Sequence, residues 1–121
     1  MEPVTKDKAV FVGVLRPSVD PALFNDYLDE LEFLADTAGL EPGGRFIQRL
    51  ERPHPNTYLG SGKLQELSAF IKSENISVAV FDDELTPSQL RDLDKILECK
   101  ILDRTNLILD IFAQRAKTAY A

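Results

Sequence analysis

Cysteine, histidine and tryptophan are nearly absent from this sequence of 121 residues. It contains one cysteine (Cys99), one histidine (His54) and no tryptophan. A single cysteine excludes a disulfide within the chain and argues against a cysteine-built zinc site. A lone histidine removes most catalytic and metal-binding schemes that depend on imidazole. With so few thiols, we expect a reducing, cytoplasmic environment.

Long apolar runs are also lacking. No segment approaches the roughly 18 apolar residues that a membrane span requires, so we predict no membrane span. Residues 1–8 contain no apolar core of a secretory signal. Hydrophobic residues make up 44% of the chain and charged residues 28%. This composition is typical of one globular domain and not of a disordered tail.

Positive charge is scarce, and it is unevenly distributed. The formal net charge is −6, which argues against a protein that coats nucleic acid without selectivity. Residues 1–40 carry 3 basic and 8 acidic side chains, and residues 64–103 carry 4 and 9. In contrast, residues 41–63 carry 4 basic and 2 acidic side chains, and residues 104–121 carry 3 and 1. An anionic partner is therefore expected to bind at one of the two basic stretches.

Apolar strands alternate with amphipathic helices along the chain. The pattern predicts strands over residues 9–15, 43–50, 77–81 and 100–103, and helices that begin at Asp20-Pro21, Lys63, Thr86-Pro87 and Thr105. This order predicts an α/β fold, a small four-stranded, mainly parallel sheet with helices on both faces. We expect the strand order 2-1-3-4, with the arginine-containing strand 43–50 at an edge. Ligand contacts are expected at the carboxyl ends of the strands.

The chain divides into three parts. Residues 1–8 are predicted to be an N-terminal tail, residues 9–112 an α/β domain, and residues 113–121 the start of a further helical segment. The last helix has no glycine or proline stop, so we expect it to continue in a longer protein, although a short fraying tail is the alternative. Its predicted buried face is Ile108, Ile111, Phe112 and the aliphatic stem of Arg115.

Gly60-Ser61-Gly62-Lys63 lies in a loop that opens a helix. Backbone N–H groups at such a position favour a bound phosphate. A complete Walker A motif would have glycine in place of Thr57 and a hydroxyl residue in place of Leu64. The segment is therefore a glycine-rich turn, a contact to RNA phosphate, or a degenerate nucleotide pocket.

Acidic residues follow the third predicted strand directly. Asp82 and Asp83 come just after Val78–Phe81, as acids do in a Walker B strand, where the first of them holds Mg²⁺. The alternative is structural, because acidic side chains near a helix N-terminus stabilise it by about 0.3–1 kcal/mol.

The denser basic stretch forms a loop stiffened by Pro53 and Pro55. Its cationic and polar side chains flank an aromatic residue, Tyr58. A loop of this kind can stack an aromatic ring on a base and offer backbone amides to phosphates. The alternative is a solvated loop whose arginines pair with the acidic helices.

Three segments together resemble the N-terminal domain of the HflX GTPases. They are YLGSGK (58–63), FDDELTPSQLR (81–91) and DRTNLILDIFAQRA (103–116), and the likeness extends over the chain from residue 9 onward. In that family a helical hairpin and a G domain follow. The resemblance therefore implies GTP and Mg²⁺ for the full-length protein, and neither a cofactor nor a catalytic residue in this fragment.

The resemblance also implies a partner, the large ribosomal subunit and its rRNA, in ribosome splitting or rescue. The RNA-contacting residues predicted here are Arg49, Arg52, His54, Asn56, Tyr58, Gly60, Ser61, Gly62 and Lys63. The arginines and Lys63 would pair with phosphates, Tyr58 would stack on a base, and the glycines would allow close approach.

Two other functions stay open. One is a nucleotide hydrolase that uses Lys63 and Asp82, with Asp82 and Asp83 as the metal ligands. The other is a structural module that orients the hairpin and the G domain. Whether Arg104 and Arg115 contact RNA or anchor the hairpin stays undecided.

Overall fold

Strands and helices alternate over the whole of the described chain. The structure, a computed structural model, describes the backbone of residues 6–120 and the side chains of residues 6–115. The elements are β1 (Lys8–Leu15), α1 (Pro21–Thr37), β2 (Glu41–Arg49), α2 (Ser61–Ser73), β3 (Val78–Phe81), α3 (Pro87–Leu97), β4 (Lys100–Asp103) and α4 (Arg104–Tyr120). Most of the predicted tail, residues 1–5, lies outside the described residues.

All four strands are parallel and form one sheet in the order β2-β1-β3-β4. The predicted fold class, strand order and edge position of β2 are confirmed. The pairing of β1 with β2 shifts by one residue at Gly43, which forms a β-bulge. Gly44 follows with φ +145°, and a Cβ there would lie 2.9 Å from the ring of Phe70. A glycine is therefore required at this position.

Helices cover both faces of the sheet because β1 is apolar on both. Alternate β1 residues Val10, Val12 and Val14 pack with α2 and α3. The residues between them, such as Phe11, pack with α1 and α4 on the opposite face. Two apolar layers therefore hold the helices in place, and the strand ends between them carry the polar groups.

The predicted helix starts are confirmed for α1 and α3. Asp20 Oδ1 accepts a hydrogen bond from the Ala22 N–H at 2.9 Å. Thr86 and Gln89 form a reciprocal capping box, in which each side chain accepts from the other residue's backbone N–H. These caps fix where each helix leaves the carboxyl end of its strand.

The other two predicted starts are wrong by two residues: α2 begins at Ser61 and not at Lys63, and the cap of α4 lies two positions before the predicted one. Asp103 caps α4 in place of Thr105, because Asp103 Oδ1 accepts from the Asn106 N–H at 2.8 Å. The predicted buried face changes as well: Leu107 is 1% exposed, whereas Phe112 is 63% exposed. Ile111 packs against the core as expected. Among the described residues, no helix is long and apolar enough to cross a bilayer.

Candidate nucleic-acid interface

The carboxyl ends of the four strands lie at one edge of the sheet because all strands are parallel. We divide this edge into two halves. The β1–β2 half contains Arg16, the end of β2, the connection 50–60 and the first turn of α2. The β3–β4 half contains Asp82, Asp83, Asp103 and Arg104.

The connection 50–60 folds against the domain and does not project as a free arm. The backbones of His54 and Tyr58 exchange two hydrogen bonds, of 3.0 and 2.9 Å. His54 Nδ1 accepts from the backbone N–H groups of Asn56 (3.1 Å) and Thr57 (3.3 Å), which closes the turn between them. Gln89 Nε2 on α3 donates to the His54 carbonyl at 2.8 Å. The loop is therefore fastened at its base, with its tip facing outward.

Tyr58 anchors this loop from inside the core. The residue is 1% exposed, and its ring meets that of Phe81 edge-on with centroids 5.1 Å apart. Its hydroxyl donates to Asp83 Oδ2 at 2.8 Å and accepts from the Val14 N–H at 3.2 Å. Burial raises the pKa of Tyr58 far above its usual value, and the charge of Asp83 raises it further.

The expected role of Tyr58 is therefore revised. A ring enclosed by the core is not presented to an RNA base in this fold, so it positions the loop and does not stack. The neighbouring Leu59 is also fully buried. An aromatic-apolar pair directly before a helix start was the signal in the sequence that indicated burial.

The other predicted RNA-contacting residues lie at or near the surface. Arg49, Arg52, His54 and Asn56 are exposed, as are Ser61 and Gly62, while Gly60 and Lys63 are half-buried. Gly60 donates its N–H to Gln48 Oε1 at 2.9 Å. No side chain caps α2, and a Cβ added at Gly62 would meet open space. The first turn of α2 thus presents backbone N–H groups outward.

The arginines fall into two groups by their partners. Arg45 donates to Glu32 at 2.8 Å and to Asp29, and the bond to Glu32 is the main reason why its pKa is raised. By contrast, Arg49 and Arg52 form no ion pair with any residue from 6 to 115. The acidic helices therefore neutralise only the first of the three arginines in the basic stretch.

Lys63 is intermediate between these groups. Its Nζ lies 3.4 Å from Glu66 Oε2 and 5.3 Å from the centroid of the Phe46 ring. An exposed pair of this kind contributes little stability, so the ammonium can exchange Glu66 for another anion. We call the exposed Arg49 and Arg52, together with the half-buried Lys63, the cationic edge.

The carboxylates of the β3–β4 half all have partners within the fold. Asp82 Oδ1 accepts from Arg104 at 2.7 Å, and Asp83 accepts from the Tyr58 hydroxyl. Asp103 is 3% exposed and accepts from the backbone N–H groups of Leu85 and Asn106. In the part of the chain with described side chains, no group of three metal-ligating residues converges. These acids accept hydrogen bonds from within the domain.

The residues of the degenerate Walker motifs do not fit a magnesium nucleotide. Lys63 lies by Phe46 on the α2–α3 face, whereas Asp82 pairs with Arg104 on the α1–α4 face. Leu64, in the place of the magnesium-binding hydroxyl, is buried in the core. The two charged groups therefore do not converge on one phosphate chain.

Comparison with known proteins agrees with this fold and these motifs. A family model described as GTP-binding GTPase N-terminal matches residues 25–113. The GTPase HflX of Flavobacterium psychrophilum is 52% identical over 120 residues, which cover 99% of this chain and 29% of that protein. The GTPase HflX of Escherichia coli is 44% identical over 91 residues, 75% of this chain and 21% of that protein. The chain thus spans between a fifth and a third of the length of these relatives.

Solved structures share the fold at lower identity. A GTP-binding protein from Sulfolobus solfataricus, solved in complex with GDP, superposes with a TM-score of 0.63 at 23% identity, over 90% of this chain and 30% of that chain. The family model covers most of the domain, and the specific motifs lie inside or beside its range. The chain belongs to the family of N-terminal domains of the HflX GTPases.

Proposed function

We propose that this chain is the RNA-docking domain of a GTPase that acts on the large ribosomal subunit in ribosome splitting or rescue. The choice of the large ribosomal subunit as the partner is supported by the similarity of this chain to GTPases HflX. GTP hydrolysis, with GTP and Mg²⁺, then belongs to a G domain outside the residues described. A cytoplasmic location fits a ribosomal partner.

The observation that carries this proposal is that two of the three cations of the cationic edge have uncompensated charge. The chain has a net charge of −6, yet Arg49 and Arg52 have no acidic partner among the described residues. An acidic surface is repelled by rRNA, so only a localised positive region can approach it. Repulsion elsewhere fixes the orientation of docking and disfavours non-specific binding.

Seven of the nine predicted contact residues, all except Tyr58 and Gly60, have a role that their position allows. Arg49 and Arg52 pair with phosphates, and Lys63 exchanges Glu66 for a phosphate. The backbone N–H groups of Ser61 and Gly62 donate to a phosphate oxygen at the start of α2. Within the loop, the exposed His54 and Asn56 side chains contact sugar or base edges.

The test is binding of large ribosomal subunits by the doubly substituted chain Arg52→Ala with Lys63→Ala, measured by co-sedimentation. We expect the dissociation constant to rise at least ten-fold, because two phosphate contacts are lost. The matched control is Lys72→Ala with Lys95→Ala, which removes the same charge from exposed positions. Lys72 lies at the other end of α2, about 13 Å from Lys63 along the helix axis.

Equal binding by both double variants would show that only net charge matters, and it would contradict the proposal. Unchanged binding by Arg52→Ala with Lys63→Ala would do so as well. None of the four side chains is buried, so we expect every variant to keep the fold. Circular dichroism of each variant checks this.

A second function is favoured by one observation on α4. Leu109 and Phe112 of α4 are 59% and 63% exposed. Apolar side chains at such positions suit contact with another segment of the same protein. We propose that this face orients the downstream helical hairpin and G domain. Both residues are substituted with serine in the full-length protein. We expect the hairpin and the G domain to lose their fixed orientation relative to this domain, while the cationic edge still binds RNA.

A further inference from the structure

A cleft of about 560 Å³ opens at the carboxyl ends of β1 and β2. Its apolar lining includes Leu15, Val19 and Leu50, and two cations, Arg16 and Arg49, lie at its margin. The volume lies within the range of about 300–1,000 Å³ typical of small-molecule sites. The cleft is separate from the glycine-rich start of α2 and from the acids of the β3–β4 half.

Both cations are available to a ligand. Arg49 has no ion pair among the described residues, and the Arg16 side chain is 41% exposed with only a long contact of 3.9 Å to Asp83. The prolines Pro17 and Pro21 form a further apolar wall. A matching ligand has a flat apolar part for the wall and an anionic group for the two guanidinium groups.

We propose that this cleft binds one unpaired nucleotide of RNA, with the base against the apolar wall and the phosphate between Arg16 and Arg49. The inference rests on the proposed function and refines it. Arg49 belongs to both the cleft and the cationic edge, so a strand that runs along this edge passes the cleft directly. Proteins select single-stranded RNA by taking up unstacked bases against apolar groups and guanidinium planes.

The charge pattern favours RNA over an acidic peptide. One acid, Glu51, also lines the cleft, and its carboxylate can accept from a base amino group or a ribose hydroxyl. Glu51 repels a peptide carboxylate and an RNA phosphate alike, but RNA also offers it amino and hydroxyl donors, which a carboxylate side chain lacks. A duplex cannot use the cleft, because its bases are paired and stacked.

The test uses two variants that change the cleft in different ways. Arg16→Gln removes a cation outside the cationic edge, and Val19→Phe fills the apolar part with no change of charge. Binding of a fluorescent 12-nucleotide single-stranded RNA is compared with binding of a hairpin duplex. Each variant is expected to weaken single-strand binding about ten-fold and to leave duplex binding unchanged. Arg91→Gln and Ile96→Phe on the exposed side of α3 are the matched controls, with no effect expected.

Cross-linking locates the base directly. Single-stranded RNA with 4-thiouridine is expected to cross-link to the peptides that contain residues 15–21 and 49–51. An added excess of AMP is expected to compete only weakly, since it lacks the neighbouring phosphates that the cationic edge binds. Strong competition by AMP would indicate a free-nucleotide site and overturn the RNA assignment.

Three other results also overturn the inference. In the first, the unsubstituted chain does not bind single-stranded RNA. In the second, both cleft variants bind it as well as the unsubstituted chain does. In the third, the cleft substitutions weaken binding of an acidic peptide more than binding of RNA. The proposed function fails separately. In that case Arg52→Ala with Lys63→Ala leaves subunit binding unchanged while the cleft variants still lose single-stranded RNA.

Discussion

The two halves of the carboxyl edge differ in what their charged side chains contact. In the β3–β4 half, Asp82, Asp83 and Asp103 each accept a short hydrogen bond from within the domain. In the β1–β2 half, Arg49 and Arg52 have no acidic partner in the described chain, and Arg49 lines an open cleft. The comparison separates charged side chains that are bonded within the domain from charged side chains that have no such partner. Both kinds come at or just after the end of a strand in the sequence.

The largest expected effect is a loss of stability from a substitution in the β3–β4 half. Asp103→Ala removes the acceptor for two backbone N–H groups and leaves the buried Leu85 N–H without a partner. We expect a loss of about 3 kcal/mol in the free energy of unfolding, measured by urea denaturation. The exposed Asp36→Ala is the control, with a change below about 0.5 kcal/mol. A similar small change for Asp103→Ala would show that the acids of this half are dispensable to the fold.

Next in size is the loss of the Tyr58 hydroxyl. Tyr58→Phe keeps the ring but leaves Asp83 and the Val14 N–H without their shared partner. We expect a loss of about 1–3 kcal/mol in unfolding free energy, and faster proteolysis within residues 50–60. Tyr27→Phe, at an exposed position, is the control. If the two variants were equally stable, the anchoring role of Tyr58 would be contradicted.

The same hydroxyl makes the free energy of unfolding depend on pH in the alkaline range. Above about pH 10 an unfolded tyrosine loses its proton. The folded state keeps the proton on Tyr58, because burial and Asp83 raise its pKa. The unfolded state then binds fewer protons, so stability falls as the pH rises. We expect a steeper fall between about pH 10 and 11 for the unsubstituted chain than for Tyr58→Phe, by up to about 1.4 kcal/mol per pH unit. Parallel curves would refute this.

The smallest expected effect distinguishes two arginines of one strand. Arg45→Ala breaks ion pairs with Glu32 and Asp29 and is expected to cost about 1 kcal/mol or less of stability, with no loss of RNA binding. Arg49→Ala is expected to leave stability unchanged and to weaken RNA binding. Thermal unfolding and RNA titration of the two variants give this comparison. Equal RNA binding by both would remove the distinction between paired and unpaired cations.

The fold follows closely from the sequence because its signals are local. The continuous apolar run of β1 indicates burial on both faces, and the Thr86-Pro87-Ser88-Gln89 pattern indicates a capped helix. Both depend on residues near one another in the chain. The start of α4 was missed because Asp103, a strand residue, supplies the cap.

The site is harder to predict from the sequence, because the residues that contact one another there are distant in the chain. Tyr58 meets Asp83 across 25 positions, and Arg104 meets Glu30 across 74. No local pattern indicates which arginine finds an acid and which does not. The sequence therefore predicted where the basic stretch lies, while only the structure separates Arg45 from Arg49 and Arg52.

The central claim is that the unpaired cations of the β1–β2 half dock RNA. The most direct measurement is the salt dependence of binding to the large ribosomal subunit, for the unsubstituted chain and for Arg49→Gln with Arg52→Gln. Each lost phosphate contact lowers the slope of log affinity against log salt by about 0.7–0.9. We predict that the slope falls by about 1.4–1.8 in the double variant. An unchanged slope would contradict the claim.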